Sequence, residues 1–404
     1  MKKTVFLIVF CILFSVLTVY SQNTKSDVAR TKIFTCANQE SIVKEECVVA
    51  SDMVEGKENY ILCIKSGTEG KYSYLINGKK YADVVPFSAK LSPDGNQWSY
   101  IKKFKEEYLV VINGKEYGPY KDAFNNLLKS SSVSFSANGK WGFFAKKTDD
   151  NYIIMIDGKE QGVFTNVTSF SYCYDGSTWG YIAEKDGVYS IVINGKKAGG
   201  TYTRGNFLVF SSDGKKWAAI IEEGTQSVNK YLILNNNEKF GPYYKIYPYP
   251  LFNGQNWACG INDNEVISII VNGKKFLRYK DQVDKLTISQ NGDNFAYSKE
   301  EGSNKKMFLN GKSIGLWGDI YSFYFILDDS NNWVYNAMRS LDFGKDIGAN
   351  CIVTSSGEEI DRTAFHLVVA KSRKNIYWLS SDDNSVTFFL NKKEIKYEEL
   401  EEYY

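Results

Sequence analysis

The sequence predicts an all-β fold, a β-propeller of four-stranded antiparallel blades, and three observations carry the prediction. First, a glycine turn followed closely by an aromatic recurs at Gly95/Trp98, Gly139/Trp141, Gly176/Trp179, Gly214/Trp217, Gly254/Trp257 and Gly292/Phe295, with a variant copy at Ser330/Trp333. Successive copies lie 37 to 44 residues apart, close to the ~40 residues of one propeller blade. Second, Asn77-Gly78-Lys79, Asn113-Gly114-Lys115, Asp157-Gly158-Lys159, Asn194-Gly195-Lys196, Asn272-Gly273-Lys274 and Asn310-Gly311-Lys312 interleave with the first signature. Asn-Gly and Asp-Gly suit two-residue type I′ hairpins, which need positive φ at both central positions. Third, apolar runs such as Tyr108–Ile112, Tyr152–Ile156 and Tyr189–Ile193 precede these turns, as expected of strands buried on both faces.

The elements follow in chain order. Met1-Lys2-Lys3 is a positive n-region, Val5–Tyr20 is almost wholly apolar, and Val19-Tyr20-Ser21 places small residues at −3 and −1. This is the pattern of a secretory signal peptide over residues 1–21, cleaved after Ser21. Residues 22–404 are then a single propeller domain outside the cytoplasm, periplasmic or secreted. The competing reading is one membrane anchor, because the apolar run approaches the length of a short spanning helix. No later segment is apolar for long enough to span a bilayer, and the exported chain is expected to be a monomer.

Each repeat reads as strand, Asn-Gly turn, short strand, loop, strand, Asp-Gly turn, strand. Seven such units run from Tyr72 to Met338, and fragments at Cys47–Lys65, Ile352–Leu379 and Thr387–Tyr397 extend the pattern. The reading favours eight blades, with seven and nine as alternatives. It places Cys47–Lys65 and Thr387–Tyr397 together in one seam blade, since a free edge strand would leave unpaired N–H and C=O groups. Seven of the eight tryptophans occupy the repeat position if Trp378 is included. Such aromatics are expected between blades, as inter-blade core.

The corners Ser92-Pro93-Asp94-Gly95, Phe135-Ser136-Ala137-Asn138-Gly139 and Phe210-Ser211-Ser212-Asp213-Gly214 resemble the S-P-D-G-K corner of TolB-type, WD-like β-propeller repeats of exported bacterial proteins. The resemblance covers nearly all of residues 22–404. It implies the repeat architecture and no particular activity. The α/β domain that precedes the propeller in TolB has no counterpart here, so a Tol–Pal envelope role is not implied.

Composition narrows the function. The chain has 404 residues, 43% of them hydrophobic and 15% aromatic, which is a globular profile. Lys and Arg number 49 against 47 Asp and Glu, so no basic excess points to nucleic acid. His366 is the one histidine, which argues against His-ligated metals and leaves a single possible imidazole base. It sits in a strand-like run, Phe365-His366-Leu367, where a core or strand-surface role is the simpler reading. No G-x-S-x-G elbow and no phosphate-binding loop occur. Six cysteines follow the signal segment: Cys36, Cys47, Cys63, Cys173, Cys259 and Cys351. A local bridge among the first three is compatible with export, the pairing stays open, and the other three read as small buried apolar residues.

No catalytic residue, metal site or cofactor is assigned. The acid pairs Asp149-Asp150, Asp328-Asp329 and Asp382-Asp383 read as solvated turns. The densest aromatic segment supplies the binding candidates Tyr243, Tyr244, Tyr247 and Tyr249; the competing reading is that they cap a blade edge. Lys121–Ser132 and Arg339–Asn350 are the longest inserts. The leading expectation is a non-enzymatic binding or scaffold propeller for a protein, peptide or glycan partner. The alternative is a propeller hydrolase or lyase acting on glycans or peptides through carboxylates converging at one mouth of the channel.

Overall fold

The computed structural model describes residues 59–355 apart from 67–70, 126–129, 225–229, 236–237, 264–265, 280–282, 326–331 and 340–349. Outside that span it describes the strands Val28–Thr35, Glu40–Ile42, Val48–Val49, Glu359–Asp361, Ala364–Val369, Ile376–Ser381 and Ser385–Asn391. The expected signal segment and its cleavage site, Cys36, Cys47, Asp328-Asp329 and Asp382-Asp383 lie outside the described residues. Among the described residues every regular element is a strand, and no helix is long and apolar enough to cross a membrane.

The protein is an all-β propeller. Its described strands form nine antiparallel sheets of four or five strands, numbered here 1 to 9 in chain order, plus a two-stranded ribbon, Phe124–Asn125 with Ser130–Ser131, inside the first insert. Sheet 5 is representative: Arg204–Phe210, Trp217–Glu223, Lys230–Asn235 and Glu238–Tyr243 pair in that order. The first strands of sheets 3 to 8 contact one another in succession, which makes them the inner ring.

Two local devices fix each sheet, and both were written in the repeats. At the corner, Ser211 Oγ accepts a hydrogen bond from Lys216 N (2.9 Å) and donates to Asp213 Oδ1 (2.8 Å), while Lys215 N donates to the same carboxylate at 3.1 Å. Ser92, Ser136 and Ser289 repeat this arrangement. Cys173 does so with sulfur, accepting from Thr178 N at 3.1 Å and donating to Asp175 at 3.0 Å. It is therefore a corner residue as well as a buried thiol. In the Asn-Gly turns both residues have positive φ, 50° at Asn113 and 84° at Gly114, as a type I′ turn requires. The asparagine also accepts the backbone N–H of the repeat aromatic: Trp98, Trp179 and Trp257 each donate to Asn113, Asn194 and Asn272 at 2.9 Å. That bond explains why the two signatures travel together.

The core is a series of interfaces. One cluster joins Ile182 and Ile191 of sheet 4 to Leu208, Trp217 and Ala219 of sheet 5; another joins Ala296 and Met307 of sheet 7 to Ile320 and Tyr335 of sheet 8. The second strand sends alternate aromatics to one face, with Trp333 stacked on Tyr335 (5.5 Å, 22°) and Trp141 on Phe143 (6.2 Å, 7°). Trp217, Trp257 and Trp333 are buried, whereas Trp98, Trp141 and Trp179 are half-buried.

Three sequence expectations need correction. The repeat unit read from the sequence spans two sheets: the strand before the corner begins a sheet, and tight turns at Lys105-Glu106 and Asp186-Gly187 join its second strand to its third. The seam is not made by Cys47–Lys65, whose strand Tyr60–Ser66 belongs to sheet 1 with Lys71–Ile76 and Lys79–Tyr81. Instead Val28–Thr35 is the fourth strand of sheet 9, pairing with Ser385–Asn391 in a register from Val28–Asn391 to Thr35–Ser385. Because that seam uses a strand upstream of Cys47, the described residues supply nine sheets where the reading favoured eight blades.

Candidate functional site

Every sheet is antiparallel, and from sheet 1 to sheet 8 each fourth strand leads to the first strand of the next sheet, through a short connection except after sheet 2, where the insert with the ribbon intervenes. The ends of fourth strands, the starts of first strands and the second-to-third turns therefore share one face. Five of the large hydrophobic side chains exposed among the described residues sit there: Phe87, Phe104, Val188, Tyr244 and Tyr321.

The tyrosine segment lies on this face because the first strand of sheet 6 is interrupted. Lys245–Ile246 and Leu251–Asn253 both pair with Asn256–Asp263, and Tyr247–Pro250 bulges between them. Gly260 permits the close approach: Tyr247 N donates to Gly260 O, Gly260 N donates to Pro248 O, each at 2.9 Å, and a Cβ there would collide with Tyr247 O and Pro248.

The four candidate tyrosines have different surroundings. Tyr243 packs against the cluster between sheets 5 and 6, at the position held by Tyr120 and Tyr202 in other sheets. Tyr249 stacks on Phe207 at 4.7 Å. Tyr247 stands edge-on to Tyr249 at 5.6 Å, has the Lys245 ammonium 5.4 Å from its ring centre, and donates its hydroxyl to Asp284 Oδ1 at 3.2 Å. Tyr244 is 66% exposed and faces solvent.

The bond from Tyr247 leads into charges that single-residue inspection of the sequence missed. Lys305, at the start of the third strand of sheet 7, donates to Asp284 Oδ2 at 3.2 Å and pairs with Asp319 Oδ1 at 2.9 Å. Asp284 and Asp319 open the first strands of sheets 7 and 8, so the group ties sheets 6, 7 and 8 together. Burial alone would raise the Asp284 carboxyl, but the Lys305 hydrogen bond and charge hold it below the usual carboxylate value. Burial alone would lower Lys305, and its bonds to Asp319 and Asp284 raise it instead. A signal did exist: the third-strand residue that pairs with the end of the fourth strand is Tyr108, Tyr152, Tyr189 and Tyr231 in sheets 2 to 5, and Lys305 stands at that position in sheet 7.

Two carboxylates thus converge at one mouth, with an ammonium between them. Both are paired with the same ammonium, which holds the Asp284 carboxyl low, whereas glycoside hydrolysis calls for one protonated acid facing a second carboxylate across the substrate. Asp149-Asp150 is an exposed turn. His366 lies in the first strand of sheet 9, opposite Leu379. Among the described residues no three His, Cys, Asp or Glu side chains group as a metal site.

No protein-family model matches the chain, and no curated protein matches it by sequence. Solved structures do resemble it. A crystal structure of the eukaryotic initiation factor aligns over 89% of this chain and 98% of its own, at 11% identity and TM-score 0.47. The β-propeller domain of the trilobed protease from Pyrococcus furiosus, which has an open velcro topology, aligns over 79% and 99%, at 12% identity and TM-score 0.41. TolB from Acinetobacter baumannii aligns over 66% and 61%, at 16% identity and TM-score 0.32. At these identities and TM-scores the likenesses assign nothing to this chain, whose propeller architecture is read from its own sheets.

Proposed function

We propose that this chain is an exported, non-enzymatic binding or scaffold propeller that recognises a protein, peptide or glycan partner through the face where its sheets connect. The observation that carries the reading is the exposed set Phe87, Phe104, Val188, Tyr244 and Tyr321 around a mouth whose carboxylates are locked by Lys305. Rigid sheets holding exposed aromatics on connecting segments suit recognition. Affinity capture from an envelope extract, followed by a glycan array, tests it. The expected result is one saturable partner whose capture is lost on Tyr244→Lys with Tyr321→Lys, while the melting temperature is kept. Turnover of a glycan or peptide that disappears in Asp284→Asn would overturn the reading in favour of the hydrolase.

A further inference from the structure

The first strands of sheets 2 to 5, together with Ser131, Ser132 and Val133 of the insert before sheet 3, line a cavity of about 400 Å³, within the size range of small-molecule sites. Along these strands alternate residues pack between sheets, as Leu208 and Phe210 do, while their neighbours face the central space. Counting back two residues from each corner Ser or Cys gives the equivalent positions Lys90, Ser134, Ser171, Val209 and Thr287. Of these five only Lys90 carries a charge. Among the residues that line the cavity, Lys90 is the one ionisable side chain, and no carboxylate accompanies it.

The ammonium is poorly compensated. Lys90 Nζ donates to Val133 O at 2.6 Å, a neutral acceptor that uses one of its three N–H bonds. Its side chain is half-buried, and burial lowers its ordinary value of 10.5 to about 8. Placing a charge there without a counter-charge is costly, and no hydrogen bond of the corner or the hairpin needs it.

The surrounding serines complete the picture. Val133 N donates to Ser131 Oγ (3.2 Å), Tyr172 N to Ser134 Oγ (3.1 Å) and Leu208 N to Ser169 Oγ (3.0 Å). Each of these hydroxyls accepts one backbone N–H and keeps its own O–H as a donor. A cation with several hydroxyls along one cavity forms a recognition set for an oxyanion.

We infer that the cavity binds a small anion through its carboxylate or phosphate group, with Lys90 as counter-charge and Ser131, Ser134 and Ser169 as donors. The site is separate from the face assigned to a macromolecular partner and stands or falls independently of it.

Thermal unfolding and calorimetry with inorganic phosphate, succinate and the neutral control succinamide test the inference, at constant 0.15 M chloride to fix screening. At pH 7 either phosphate or succinate should bind saturably and succinamide should not; which anion binds distinguishes the two chemistries. Lys90→Met should weaken binding by at least ~10-fold and Lys90→Arg should largely retain it. Succinate affinity should fall by ~10-fold or more between pH 7 and pH 9.5 as the ammonium loses its proton. Should Lys90→Met fail to fold, acetic anhydride labelling of the unsubstituted protein gives the second readout: the anion should shield Lys90 while Lys215 labels unchanged. Absence of binding by both anions, equal binding in Lys90→Met, pH-independent succinate binding or unshielded Lys90 would each overturn it.

Discussion

Lys305→Met removes the cation shared by Asp284 and Asp319 and keeps the length of the side chain. Lys305 makes short contacts to both carboxylates, 3.2 and 2.9 Å, and the three side chains are 22%, 25% and 35% exposed. Fully exposed pairs contribute ~0.2–1 kcal/mol, and breaking a buried pair costs ~3–5 kcal/mol. The intermediate exposure here sets the expected loss at about 2 kcal/mol at pH 7. The pH dependence is the sharper test. Asp284 is held low in the folded protein, so its contribution is present above the ordinary carboxylate value of ~3.9 and is lost as pH falls through its depressed folded value. Lys305 is raised, so its contribution is full below ~10.4 and is lost as pH rises through its folded value. The group's contribution in the unsubstituted protein is therefore flat between ~pH 5 and ~pH 9. Without the cation nothing offsets the burial that raises the Asp284 carboxyl, so its protonation becomes easier and the variant's deficit should shrink as pH falls from 7 to 5. Urea unfolding followed by tryptophan fluorescence at pH 5, 6 and 7 measures this. A deficit below ~0.5 kcal/mol at pH 7, or one that stays constant down to pH 5, would refute the assignment of Lys305 as the clamp.

Three further outcomes follow from the packing. Trp257→Ala should cost ~3–5 kcal/mol, because Trp257 is 3% exposed and packs against Phe240; the half-buried Trp179→Ala should cost clearly less, and equal losses in chemical denaturation would contradict the burial pattern. Cys173→Ser should change stability by less than ~1 kcal/mol, since serine fills the same corner at Ser92, Ser136, Ser211 and Ser289 and can make the same two hydrogen bonds. Cys173→Ala should cost more than Cys173→Ser, and the reverse order in urea titrations would rule out the corner role. Deleting residues from Ser385 onward removes the strand between Ile376–Ser381 and Val28–Thr35, so the shortened protein should melt earlier and self-associate on size-exclusion chromatography; a monomer with unchanged melting would remove the seam.

The strands, their turns and the aromatic layers were legible in the residues alone, because those features are enforced within a few residues or one hairpin. Asn113-Gly114 must carry positive φ, Ser211 must reach Asp213 and Lys216, and Trp98 must meet the Asn113 side chain, whatever the rest of the chain does. Tertiary structure alone decided which hairpin begins a sheet and which N-terminal strand closes sheet 9. The pairing of Val28 with Asn391 spans nearly the whole chain, and Val28–Thr35 carries neither repeat signature. The same distinction separates the sites. The tyrosine segment was visible as composition, but its division into Tyr243 and Tyr249 packed inward, Tyr247 bonded and Tyr244 exposed depends on the interrupted strand of sheet 6. Asp284, Lys305 and Asp319 become one group, and Lys90 enters a hollow among serines, only when first strands from different sheets come together around one space. Charge pairing across sheets depends on distance through space, and a linear repeat carries no record of that distance.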